Sequence, residues 1–148
     1  MGGAGGIGET DVAHLRRAIA LAHEARAAGD EPYGALLVGP DGRVLAEDRN
    51  RTVTARDVTA HPELVLARWA ARELAPGVVR GTTMYTSCRP CAMCATAIGY
   101  AGLGRVVYAL STGQHDAVRP PGDPPATRWD GPALHDEARA PLEGWSPP

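Results

Sequence analysis

Apolar residues recur at helical spacing early in the chain and give way to short runs further on. Val12, Leu15, Ile19 and Ala22 share one face of a helix predicted over residues 10–28, with Thr10 or Asp11 to cap it and Gly29 to end it. Ala35-Leu36-Leu37-Val38 is a continuous apolar run of strand length. Pro40-Asp41-Gly42-Arg43 carries turn chemistry, and residues 44–47 return as the second strand of a hairpin. A polar loop, 49–60, leads into a second helix over 61–74, stopped by Pro76-Gly77. A third strand follows over 82–86. A third helix spans 91–101, ended by Gly102 and Gly104, and a fourth strand spans 105–109. Residues 119–132 are rich in proline and read as loop, and 132–144 can form one last helix.

Helices and strands in this order define an α/β chain. The third and fourth strands are joined through a helix, which favours parallel pairing. No internal repeat or second domain is visible. Residues 1–9 read as a Gly-rich flexible tail, and 10–148 as one domain with a Pro-rich C-terminal segment from about 119. Gly3-Ala4-Gly5-Gly6-Ile7-Gly8 matches the dinucleotide fingerprint formally, but no strand precedes it, so it carries no weight.

Charge narrows the partners. The net charge is −2, and arginine supplies all 15 basic residues. Nucleic-acid binding usually needs a basic surface, so the overall balance argues against an RNA partner. No apolar run approaches the ~18 residues of a membrane span. With no signal peptide visible, a cytoplasmic protein without a membrane anchor is expected. Cys88, Cys91 and Cys94 are the only cysteines. A disulfide framework spreads its cysteines and favours an even count, so this cluster reads as metal ligands in a reducing compartment.

Cys91 and Cys94 stand three apart at a helix start, so both thiols face one way. Pro90 suits a helix's first turn. The partial positive charge of a helix N-terminus favours thiolates, and two thiolates suit zinc. His61-Pro62-Glu63 adds an imidazole. With His61 as cap residue and Pro62 in the first helical position, His61 can turn toward the metal while Glu63 stands beside it. Cys88 is the candidate fourth ligand. If it ligates, the site is closed and structural. If it does not, the fourth position is open to water and Glu63 can carry protons.

His-x-Glu followed by Pro-Cys-x-x-Cys resembles the signature of the zinc-dependent cytidine deaminase-like superfamily. The likeness runs from about residue 32 to 109 and includes Pro32-Tyr33-Gly34-Ala35 and the loop from Asn50 to His61. Within that superfamily the chain is most similar to bacterial guanine deaminases, which share the run Thr86-Ser87-Cys88-Arg89-Pro90-Cys91-Ala92-Met93-Cys94. The resemblance implies a three-layer α/β/α fold, a mixed central sheet with helices on both faces. It implies one zinc ion per chain on His61, Cys91 and Cys94, with Cys88 lining the pocket instead of ligating. It implies hydrolytic deamination by a zinc-activated water, Glu63 shuttling protons. Asn50 and the backbone near Ala60 would bind the base, Tyr100 would pack on its ring, and Asp116 would face the purine. A homodimer is expected on the same ground. Pro62 stands where the family usually has alanine, and the segment after Asp116 is unlike the family pattern. Trp145 is a candidate aromatic to close the pocket.

Guanine offers N–H donors at N1 and N2, which an ionised Asp116 can accept. Adenine presents an acceptor and a C–H there and would leave a desolvated carboxylate unmatched. Guanine is therefore the leading substrate. A nucleoside, cytosine or triazine deaminase, a tRNA adenosine deaminase and a non-catalytic zinc module are the alternatives.

Overall fold

The computed structural model describes residues 6–148. Residues 1–5 of the expected tail lie outside the described residues. The first helix, α1 (Glu9–Ala27), opens where the Gly8 amide donates to the Asp11 carboxylate at 3.0 Å, and Gly29, at φ +92°, turns the chain away after it. Then come β1 (Gly34–Val38), β2 (Val44–Arg49), α2 (Pro62–Glu73), α3 (Pro76–Arg80), β3 (Thr83–Cys88), α4 (Ala92–Ala101) and β4 (Arg105–Leu110). The chain continues with α5 (Thr112–Val118), α6 (His135–Arg139) and a 3₁₀ turn, Ala140–Leu142.

The sheet order is β2-β1-β3-β4. β1 pairs antiparallel with both neighbours, and β3 pairs parallel with β4, as the intervening helix requires. Alternate residues of β1 serve opposite layers. Leu36 and Val38 meet Leu15 and Ala18 of α1, together with Tyr85 and Val107. Ala35 and Leu37 meet Leu66, Ala67 and Ala70 of α2 and Ile98 of α4. A strand covered on both faces has no polar side to alternate with, which is why β1 reads as an unbroken apolar run. The expected three-layer arrangement, a mixed sheet with helices on both faces, is the one the chain adopts.

Gly34 sets how close α1 lies to the sheet. A Cβ at this position would stand 2.5 Å from the Ala18 carbonyl oxygen and 2.5 Å from Leu21 Cβ. Only glycine lets the helix rest on the first residue of β1. The Gly34 amide is taken by Ser87 Oγ at 3.2 Å, which ties this point to β3.

Two helices were not anticipated. Pro76-Gly77, read as a stop, also starts α3, with Pro76 in its first turn. α5 follows β4 directly and buries none of its residues. The expected last helix is short: five residues of α6 and the 3₁₀ turn. Every residue from 117 to 148 is exposed, and 120–134 form neither helix nor strand. No helix among the described residues is long and apolar enough to cross a membrane.

Candidate active site

His61 and Cys91 are the cap residues of α2 and α4, both in extended conformation. Pro62 follows His61 in the first helical position, as its fixed φ favours. Pro90 lies before the Cys91 cap, so it directs the chain into α4 from outside the helix and not from its first turn. Both helices pack on the sheet face opposite α1, and their starts converge. His61 Nδ1 stands 3.7 Å from Cys91 Sγ and 3.5 Å from Cys94 Sγ, and the three ligand atoms lie within 4.8 Å of one another. A tetrahedral zinc ion with usual bond lengths places a nitrogen and a sulfur ligand about 3.6 Å apart. The cluster fits that ion. Its chemistry also asks for one: burial, with Glu63 and Cys91 close by, pushes the Cys94 thiol well above its ordinary range, and a cation reverses that penalty. Cys88 is outside the cluster. It is half-buried at the end of β3, and burial followed by the nearby Glu63 charge pushes its thiol up.

Glu63, in the first turn of α2, is 8% exposed, and its Oε1 has no hydrogen-bond partner among the described residues. Burial, reinforced by Asp48, pushes its carboxyl up to about 7. Asn50 is 1% exposed. Its Oδ1 accepts from the Thr52 amide at 2.9 Å and faces the Thr52 hydroxyl at 2.8 Å. That bond to a backbone N–H fixes which end of the amide is oxygen. Nδ2 is left as a buried donor with no partner among the described residues. The loop carrying Asn50 is pinned by Asp30, whose carboxylate accepts the Val53 and Thr54 amides at 3.0 and 2.8 Å.

Asn50, His61, Glu63, Cys88 and Cys91 line one cavity of about 300 Å³. Glu31, Tyr33, His115, Asp116 and Arg119 line the same cavity. Tyr33 precedes β1, and His115 and Asp116 lie on α5. The Tyr33 hydroxyl meets His115 Nε2 at 2.8 Å, and Arg119 donates to the same hydroxyl at 2.7 Å. Arg119 also donates to Glu31 at 2.6 Å. Burial works upward on the Glu31 carboxyl, but the Arg119 guanidinium and the Thr52 hydroxyl outweigh it and hold it below its ordinary value.

Residues 8–110 match the family model of the cytidine and deoxycytidylate deaminase zinc-binding region. The chain belongs to that family. Among curated relatives it is 42% identical over 98 residues to a tRNA-specific adenosine deaminase of Agrobacterium fabrum, covering 64% of each chain. It is 42% identical over 96 residues to the guanine deaminase of Bacillus subtilis, covering 64% of this chain and 61% of that one. The chain thus spans under two thirds of the length of both. The X-ray structure of guanine deaminase from Bacillus subtilis superposes with a TM-score of 0.74 and 31% identity, over 90% of this chain and 92% of that one.

Not every residue that the deaminase resemblance nominated reaches the cavity. Asn50, Cys88 and Asp116 do. Tyr100 does not: it lies near the far end of α4, 91% exposed, while the site lies at the helix start. Ala60 does not line the cavity either. Its amide is committed to the Asp57 carbonyl at 3.0 Å, and its carbonyl accepts from Arg51 at 3.1 Å. Trp145 is 66% exposed and away from the cavity of its own chain. Conversely, Glu31, Tyr33, His115 and Arg119 were not singled out as site residues, although Tyr33 belongs to the quoted strand motif. The available signal was Ser111 followed three residues later by Gln114, a capping box that opens α5. Gly113 and the lack of an apolar stripe hid the helix behind it.

Proposed function

We propose that the protein is a zinc-dependent aminohydrolase of a free nucleobase, with guanine the favoured substrate. His61, Cys91 and Cys94 hold one zinc ion per chain, and Cys88 stays a pocket residue. The observation that carries this reading is the pair of buried, unpartnered polar atoms, Asn50 Nδ2 and Glu63 Oε1, opening on one cavity beside a three-ligand cluster. A closed structural zinc site leaves no reason for either.

Zinc with one coordination position free supplies water activation near neutral pH. Glu63 takes the proton of the attacking water and delivers it to the ring nitrogen beside C2. It then moves a proton from the new hydroxyl to the amino group, which leaves as ammonia while the C2 carbonyl of xanthine forms. Asn50 Nδ2 donates to an acceptor on the ring edge, and the Asp116 carboxylate accepts the N1–H. Support for a free base over RNA comes from a net charge of −2 without a single lysine.

The test is ammonia release by the zinc-loaded protein from guanine, adenine, cytosine, cytidine and guanosine. Guanine should react fastest. Strong preference for cytidine or an intact nucleoside would overturn the Asp116 argument. The second reading, a tRNA adenosine deaminase, draws on the 42% identity to the Agrobacterium enzyme. It predicts inosine formation in tRNA with steep salt dependence.

We also infer a homodimer in the cytoplasm. The segment 120–148 packs nothing into the core, yet exposes Trp129, Leu134, Leu142 and Trp145. Large exposed apolar residues gathered on one segment suit contact with a second copy. Light scattering on the purified chain decides it. The free thiols suit a reducing compartment.

A further inference from the structure

We infer that Tyr33 and His115 are positioning residues: with Arg119 they form a hydrogen-bond relay of fixed direction that presents the Asp116 carboxylate to the substrate. The inference rests on the guanine reading of the cavity and adds to it the groups that make Asp116 selective.

The direction follows from the two ends. Arg119 can only donate, so at 2.7 Å the Tyr33 hydroxyl oxygen accepts from it. An ionised Asp116 can only accept, so at 2.9 Å His115 Nδ1 carries a hydrogen and donates. A neutral ring with Nδ1–H has a bare Nε2. The Tyr33 O–H, 2.8 Å away, donates to it. Tyr33 and His115, the two middle groups, then each use one donor and one acceptor. The Nε2–H tautomer, the commoner one for free imidazole, would fail at both contacts: a lone pair would face the carboxylate, and a second donor would meet the phenol oxygen.

The relay has an anchor and an open end. Arg119 is held on its other side by Glu31 at 2.6 Å, and Glu31 by the Thr52 hydroxyl at 3.1 Å. Thr52 is the residue whose amide fixes Asn50. At the open end, Asp116 Oδ1 is taken by His115, while Oδ2 has no hydrogen-bond partner among the described residues. One carboxylate oxygen is clamped and the other is offered. Asn50, a buried donor, and Asp116, an oriented acceptor, are thereby linked through one set of side chains. α5 buries no residue of its own, so these polar contacts are what hold Asp116 in register with the cavity.

Nitrogen-15 NMR of the histidine rings in the zinc-loaded protein reads the relay directly, with His115→Ala identifying the signals. The expected result is a neutral His115 protonated at Nδ1 with Nε2 in the acceptor range, and a shift of Nε2 in Tyr33→Phe. A His115 ring protonated at Nε2 overturns the proposal. Kinetics supply the second arm, comparing guanine with 2-aminopurine, which has the same reacting amino group but no N1–H. In Tyr33→Phe and His115→Ala the preference for guanine should fall about tenfold, mostly through KM, as expected for one misplaced hydrogen-bond acceptor. Asp116→Asn should abolish the preference. If Asp116→Asn does so while the other two variants keep it, the relay is wrong and the guanine reading stands. If Asp116→Asn changes nothing, the assignment of Asp116 fails, and the relay to it fails as well. If neither purine releases ammonia, the guanine reading fails, and the tautomer alone decides whether the relay exists.

Discussion

On one side of the cavity, the donor atoms sit on the caps and first turns of α2 and α4, whose later turns enter the core through Leu66, Ala67, Ala70 and Ile98. On the other side, α5 contributes His115 and Asp116 but no buried residue, and side-chain hydrogen bonds across Tyr33 and Arg119 hold it. The first wall is fixed by burial, the second by polar contacts that are half exposed. The contrast separates two tasks. Chemistry needs atoms placed to tenths of an ångström and gets them from helices anchored in apolar packing. Recognition of one base over another needs a donor and an acceptor that can change without disturbing the fold.

Substitutions on the two walls should therefore behave differently. Glu63→Gln is expected to lower turnover at least about a thousandfold, within the range of general acid–base catalysis. Zinc content and the thermal transition should be kept, as metal analysis and circular dichroism can show. Full turnover in that variant would remove the proton carrier from the scheme. Cys94→Ala should lose zinc and unfold at lower temperature, because ligand and core residue are the same side chain there. Cys88→Ser should retain one zinc per chain, and its loss of metal would mean a closed site. Asn50→Ala leaves a substrate acceptor without its donor and should reduce kcat/KM about a hundredfold, seen in steady-state kinetics.

Across the cavity the effects shrink. Arg119→Ala should raise KM roughly tenfold by releasing Tyr33, yet change folding stability by less than about 1 kcal/mol, since the ion pair with Glu31 is only half buried and screened by water. A large drop in the urea midpoint would erase the distinction between the walls. The smallest effect on activity is expected away from both, at Asp11. The Arg105 guanidinium, the Tyr85 hydroxyl and the Gly8 amide hold its carboxyl far below the usual range. A depressed folded-state pKa stabilises the fold fully above the unfolded value of about 3.9, and that contribution drains away as pH falls toward the folded value. Asp11→Asn should thus lower the urea midpoint at pH 7, with the gap closing in strong acid and kcat unaltered.

The same division explains what was legible in the sequence. Residues that cap a helix or carry metal-ligand spacing announce themselves, so His61, Cys91 and Cys94, with Glu63 in the first turn after His61, could be placed together from the chain alone. β1 was visible because two-sided burial demands an unbroken apolar run. α5 was not, because a helix without a buried face leaves no periodicity. Its capping box was the sole trace. Tyr33 and His115 lie 82 positions apart and meet only because α5 returns over the start of β1, a juxtaposition that local pattern cannot encode. Tyr100 lies outside the cavity of its own chain for a related reason: helix α4 carries it almost a full helix length from the cap where the cluster is built.

Residue 34 sets terms for anyone redesigning this protein. A library meant to change what the cavity accepts has free play at positions 115, 116 and 119, where the backbone bears no core. One methyl group at Gly34, the residue after Tyr33, would meet Ala18 and Leu21 and lever the first helix off the sheet. Directed evolution of the pocket should leave that codon untouched.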